Sequence, residues 1–162
     1  AARPRVDKVV VALFPDWHGH APVVRLATDE WTVRGEIALL YWMTALGGAA
    51  ELCADGGTIV AVVDSPPPLD SAGFAPEAGV AEAVEALTRS LALSEGKRGV
   101  RANTVTTPCR LLYEPPIAPI PPLPGFPGTL EEDVVGTVRL LLSPDAAYLS
   151  GRCIPADRGR SW

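Results

Sequence analysis

Positive charge is scarce and scattered along this chain. Fourteen Lys and Arg stand against nineteen Asp and Glu, a formal net charge of -5 with no basic cluster. Nothing here draws in a phosphate backbone or an anionic membrane surface, so neither nucleic acid nor membrane is expected as a partner. Cysteine is sparse too. Cys53, Cys109 and Cys153 are odd in number, far apart and outside any C-x-x-C spacing, which suits reduced thiols in a cytoplasm better than a disulfide framework, and they spell out no zinc site. Long apolar runs are missing. The longest stop short of a membrane helix, and the opening AARPRVDK lacks the apolar stretch of a signal peptide. It also carries no initiating methionine, as expected of a processed or trimmed start.

What is present is enough for a core. With 162 residues and 48% hydrophobic side chains, one domain over residues 1–162 is expected. "DKVVVALF" (7–14) is a β-branched apolar run, the pattern of a strand covered on both faces in a parallel sheet. From Thr28, an N-cap, first-turn acids and apolar residues at Val33, Ile37, Leu40 and Trp42 predict a long helix to Cys53, stopped by "ADGG". "GTIVAVVDS" (57–65) reads as a second strand. A second long helix over Gly79–Ser94 follows, with Val80, Val84, Leu87 and Leu91 on one stripe and a basic, glycine-terminated end. "VRANTVTT" (100–107) is a third strand, and a stiff proline-rich loop spans about 108–128. Thr129 and Glu132 have capping-box spacing before a last helix, and Arg152–Ala156 reads as a final strand. Alternation of this kind means an α/β layer with right-handed crossovers.

Two segments carry a specific resemblance. "VEALTRSLALSEGKRGVRANTVTTP" (84–108) is similar to the fifth helix and sixth strand of the short-chain dehydrogenase/reductase family, and "LLLSPDAAYLSGRCIPADRGRSW" (140–162) resembles its C-terminal ending. More loosely, "DKVVVALF" stands where the family's strand ends in N-N-A-G, and "GTIVAVVDSPP" where it has G-x-I-V-N-I-S-S. The resemblance implies a partial Rossmann-like, three-layer parallel sheet with flanking helices, lacking the first three strands. On that register the glycine-rich NAD(P) turn is absent, and Gly47–Gly48, Gly56–Gly57 and Gly125 to Gly128 read as helix stops or turns. The residues beside the cofactor become Val11, Ala12, Leu13 and Phe14.

The same register moves through the catalytic positions. The family's tyrosine falls on Glu77, its lysine on Ala81, its serine on Asp64 and its asparagine on Ala38; a one-residue offset would put Ser65 in the serine place. No Tyr-x-x-x-Lys exists anywhere, since Tyr41, Tyr113 and Tyr148 each lack a lysine four residues on. Catalytic and cofactor-binding residues are therefore expected to be none. What the resemblance retains are elements that face other subunits, with Leu40, Trp42, Val84, Leu87, Leu91, Tyr148 and Ile154 as expected interface residues. It implies a non-catalytic cytoplasmic subunit of a hetero-oligomer with a full-length, NAD- or NADP-dependent member. The first strand would then be an apolar edge in need of a cover.

Other patterns read more plainly. Asp16, His18 and His20 share the loop "DWHGH", but without a third ligand on rigid structure they read as ordinary loop residues. "SPPPLD" and the later prolines read as a structural lid rather than an SH3 ligand. Asp64 and Glu77, facing one another across the cleft, offer the alternative of a stand-alone enzyme using them as acid and base. The isolated chain is expected to bind neither NAD nor NADP. Calorimetric titration checks this, and a micromolar, stoichiometric isotherm for either nucleotide contradicts it.

Overall fold

A computed structural model describes residues 4–14, 20–111 and 123–161. Four parallel strands lie in sequence order: β1 (Val6–Ala12), β2 (Cys53–Asp64), β3 (Arg101–Thr107) and the short β4 (Cys153–Pro155). Register pairs Val9 with Ile59 and Ile59 with Ala102, and brings Asp64 level with Thr107 at the C-terminal edge. Because side chains alternate across a strand, Ile59, Ala61 and Val63 point to one core while Val60 and Val62 point to another.

The first core lies under two long helices. α1 (28–52) is built from Thr28–Trp31, π-helical turns over Thr32–Ile37, and Ala38–Leu52. α2 (Ala75–Glu95) begins earlier than its apolar stripe suggests, because Pro76 is preorganised for a first helical turn. Val80 and Val84 are buried in this core, Leu87 and Leu91 pack against it, and Gly99 in the left-handed conformation closes the turn after the helix. The second core lies under α3, composed of Leu130–Val134 and Val135–Leu141, with Val134, Leu141, Ala146 and Ala156 against Val60, Val62 and Val105.

Four sequence expectations need correction. β1 is not covered on both faces: Val11 is buried with the α1–α2 core, but Val6 and Val10 are 46% and 47% exposed. Among the described residues it is an edge of the sheet, and α3 packs chiefly on β2 and β3. On α1, of the four apolar residues expected to act together, only Trp42 enters the core, with Leu46 and Ala49; Val33, Ile37 and Leu40 are exposed. The π-helical turns shift the phase of everything before Ala38. Gly47 and Gly48 are not a helix stop but lie within α1, where an added Cβ would meet nothing within 4 Å. Finally, Thr129 Oγ1 accepts the Glu132 N–H, but the Glu132 carboxylate turns to Arg158, so only half of the capping box forms. The Gly56–Gly57 pair, expected as a helix stop or turn, lies within β2 at a bulge where pairing with β1 shifts register; a Cβ on Gly57 would sit 2.8 Å from the Asp7 carbonyl.

The C-terminal segment is tied down by one buried ion pair. Arg160 donates to both oxygens of Asp70, at 2.6 and 2.8 Å, with both side chains 2% exposed and the Phe126 ring centroid 5.3 Å from the guanidinium carbon. Removing one partner of such a pair strands a buried charge. Asp70→Ala is expected to cost about 3–5 kcal/mol, read as a lower midpoint in urea unfolding, with Asp70→Asn costing less.

Candidate functional site

At the C-terminal edge of the sheet, the end of β2 presents Asp64 and the turn after β3 presents Arg110. Arg110 Nη1 lies 3.5 Å from Asp64 Oδ2, and its guanidinium carbon stacks 4.5 Å from the centroid of the Phe14 ring. The pair is imperfect. Asp64 Oδ1 and Arg110 Nη1 are shielded from solvent and have no hydrogen-bond partner. Desolvation pushes the Asp64 carboxyl up to about 6; Arg110 opposes this, and the charge of Glu77 adds to it. Beside them, Thr107 Oγ1 accepts the Cys109 N–H and stands 2.9 Å from Cys109 Sγ, while burial raises the thiol pKa.

Glu77, in the first turn of α2, is fully engaged elsewhere. Its two oxygens accept from Arg34 Nε and Nη2 at 2.8 and 2.9 Å, and Arg34 Nη1 donates to Glu30 at 2.6 Å. The Arg34 side chain is 1% exposed; burial opposes its charge, but the hydrogen bonds and charges of Glu77 and Glu30 outweigh burial and raise its pKa. This clamp ties α1 to α2. Sequence reading missed Arg34 in this role, although the Glu30–Arg34 spacing of four on a helix was a visible signal of half of it.

The two other positions onto which the resemblance carries the family's catalytic residues are alanines. Ala81 is 2% exposed in the core and Ala38, directly after the π-helical turns, packs against it. Asp16 and His18 lie outside the described residues, as does most of the proline-rich loop; His20 packs edge-on against Phe74 at 5.5 Å. Among the described residues no group of three His, Cys, Asp or Glu side chains could hold a metal. No helix among them is long and apolar enough to cross a membrane.

The expected interface residues divide by burial. Trp42 and Val84, at 2% and 0% exposure, belong to the chain's own core and cannot meet a partner. Leu87 and Leu91 pack mainly into that core, and Ile154 into the second. Leu40 and Tyr148 are exposed. The correction follows from spacing alone, which does not separate a core stripe from an interface stripe.

Comparison with known proteins places the fold. No family model and no curated protein matches the sequence. Solved structures do. A short-chain dehydrogenase/reductase from Serratia marcescens matches with a TM-score of 0.71 at 22% identity, over 98% of this chain and 67% of its own. A short-chain dehydrogenase from Burkholderia cenocepacia, in complex with NADP, gives 0.75 at 20% identity over 96% and 66%. A blue fluorescent protein from a metagenomic library, in complex with NADPH, gives 0.69 at 21% identity over 97% and 66%. The chain spans about two thirds of the length of these structures. It has the fold of the short-chain dehydrogenases/reductases.

The raised Asp64 pKa makes a signed prediction. Between the ordinary 3.8 and about 6 the folded chain holds a proton that the unfolded chain has lost, so the contribution of Asp64 to stability worsens as pH rises through that window. The difference corresponds to about 3 kcal/mol once the carboxyl is ionised. Asp64→Asn is expected to be more stable than wild type by about 1–3 kcal/mol near pH 8, with the difference gone near pH 4, measured by urea unfolding across that range.

Proposed function

We propose that this chain is a non-catalytic subunit that assembles with a full-length, active short-chain dehydrogenase/reductase, stabilising it or shaping its substrate entrance. The observation that carries this reading is the Arg34 clamp on Glu77. At the position where the resemblance expects a tyrosine to pass a proton, this chain has a carboxylate whose two oxygens are both bound to a buried guanidinium. The lysine position is a buried alanine, Ala81, so no amine stands there to lower a phenol pKa or hold a ribose. The alternative of an acid–base pair fares no better, because Glu77 is already committed to Arg34.

Nicotinamide chemistry then belongs to the partner. Two of the structures named above hold NADP or NADPH, which supports NADP as the partner's cofactor. Assembly is supported by the outer face of α1, where Val33, Ile37, Leu40 and Tyr41 are exposed along one stripe that continues into the open Gly47 and Gly48. Apolar side chains next to backbone that a second helix can approach closely suit helix-on-helix docking. A heterodimer or heterotetramer would cover that face.

Co-expression with neighbouring full-length dehydrogenases, followed by light scattering, tests the reading. The expected result is a stable complex that Leu40→Asp abolishes by burying an unpaired charge, while circular dichroism of the variant stays native because Leu40 touches no core. Leu87→Asp, by contrast, should unfold the chain itself. A native monomer of about 17 kDa that ignores every such dehydrogenase would refute the proposal.

A further inference from the structure

Among the described residues, one non-glycine side chain sits on a backbone of positive φ: Arg158, at 59°. A residue with a Cβ seldom holds that conformation unless its surroundings impose it. Here they do, from two sides. On one, the buried Asp157 carboxylate accepts the N–H groups of Gly159, Arg160 and Ser161 and so curls the tail into a tight turn. On the other, the Arg158 side chain is gripped by residues far from it in sequence. Its Nε donates to both oxygens of Asp133, at 3.1 and 3.0 Å, and its Nη2 donates to Glu132 at 2.6 Å. Its Nη1 donates to the Pro124 carbonyl, and its own carbonyl accepts the Leu123 N–H. Two glycines complete the cradle: a Cβ on Gly125 would collide with the guanidinium, and one on Gly128 with Asp133.

We infer that the tail 157–161 is a strap that holds residues 123–128 down over the turn after β3, with Arg158 as its releasable fastener. The held segment rests on that turn, since the Pro127 carbonyl accepts from Cys109 Sγ at 3.4 Å. Residues 123–125 are exposed, so little apolar burial keeps them there, and the bonds to Arg158 do. The inference needs no partner chain and does not depend on the proposal above.

The strap has two anchors of unequal strength. Arg160 and Asp70 are both 2% exposed, whereas the Arg158 side chain is 18% exposed and that of Glu132 65%. Dissolved ions screen exposed pairs far more than buried ones. The outer anchor therefore lets go while the inner one stays, and residues 123–128 lift with the outer one. Opening of this kind uncovers Cys109 and leaves the sheet whole, because β4 keeps its own pairing with β3.

Arg158→Gly tests the strap, because glycine takes the backbone of this position without strain and only the side chain is lost. Iodoacetamide labelling, read site by site by mass spectrometry, compares Cys109 with Cys53, which is 0% exposed in the first core and reports global opening. In Arg158→Gly the Cys109 rate is expected to rise at least about tenfold, as for the loss of one charge-assisted hydrogen bond, with the Cys53 rate unchanged. Addition of about 1 M NaCl is expected to speed Cys109 labelling in the wild-type chain and not in the variant. The inference is overturned if Arg158→Gly leaves the Cys109 rate as it was, or raises Cys53 equally, since Arg158 would then support the whole fold. It is equally overturned if Cys109 of the wild-type chain is indifferent to salt, a reading that stands even where the variant fails to fold.

Discussion

A parallel sheet has no face that water can cover cheaply, and that constraint organises this molecule. β2 and β3 are apolar toward both sides, so each side must be roofed: one by α1 and α2, the other by α3 and the C-terminal segment. The roofs fix where everything else lies. The second is narrower than the sheet, and so β1 keeps Val6 and Val10 in solvent. The crossovers all carry the chain past the C-terminal edge, which is why Asp64, Thr107, Arg110 and the first turn of α2 with Glu77 gather there.

At that edge the fold places two ion pairs. Two carboxylates, Asp64 and Glu77, are each met by an arginine from a different element. The two pairs differ in quality. Arg34 satisfies Glu77 with two good hydrogen bonds, whereas Arg110 leaves Asp64 with an unused oxygen and a pKa raised by burial. The first is a brace between helices. The second is an incomplete contact.

The order of elements was legible in the sequence because it rests on local signals: apolar runs for β1 to β3, the 3.6-residue stripe of Val80, Val84, Leu87 and Leu91 for α2, and left-handed Gly99 for its end. The resemblance rests on the residues around "GKRGVRANTV", and the match in fold covers 98% of the chain. What stayed hidden was phase and distance. Leu40 and Trp42 both lie on the regular part of α1, two residues and so about 200° apart, and Trp42 faces the core while Val33, Ile37 and Leu40 face the other way. Arg34 and Glu77 are 43 residues apart and Asp64 and Arg110 are 46 apart, and no local pattern pairs them. Burial of Trp42 and Val84 was likewise beyond reach, since a helix apolar on two sides does not say which side its own sheet will take.

The open glycines of α1 have a consequence for how long a solitary copy survives. Neither Gly47 nor Gly48 is required by its own surroundings, and each costs a helix interior about 1 kcal/mol relative to alanine. Together they raise the unfolded fraction of the free chain by roughly 15- to 30-fold. Proteases sample that fraction. A surface that closes over the two glycines returns the lost stability and withdraws the chain from degradation, so abundance in the cell would follow occupancy of α1 rather than synthesis alone.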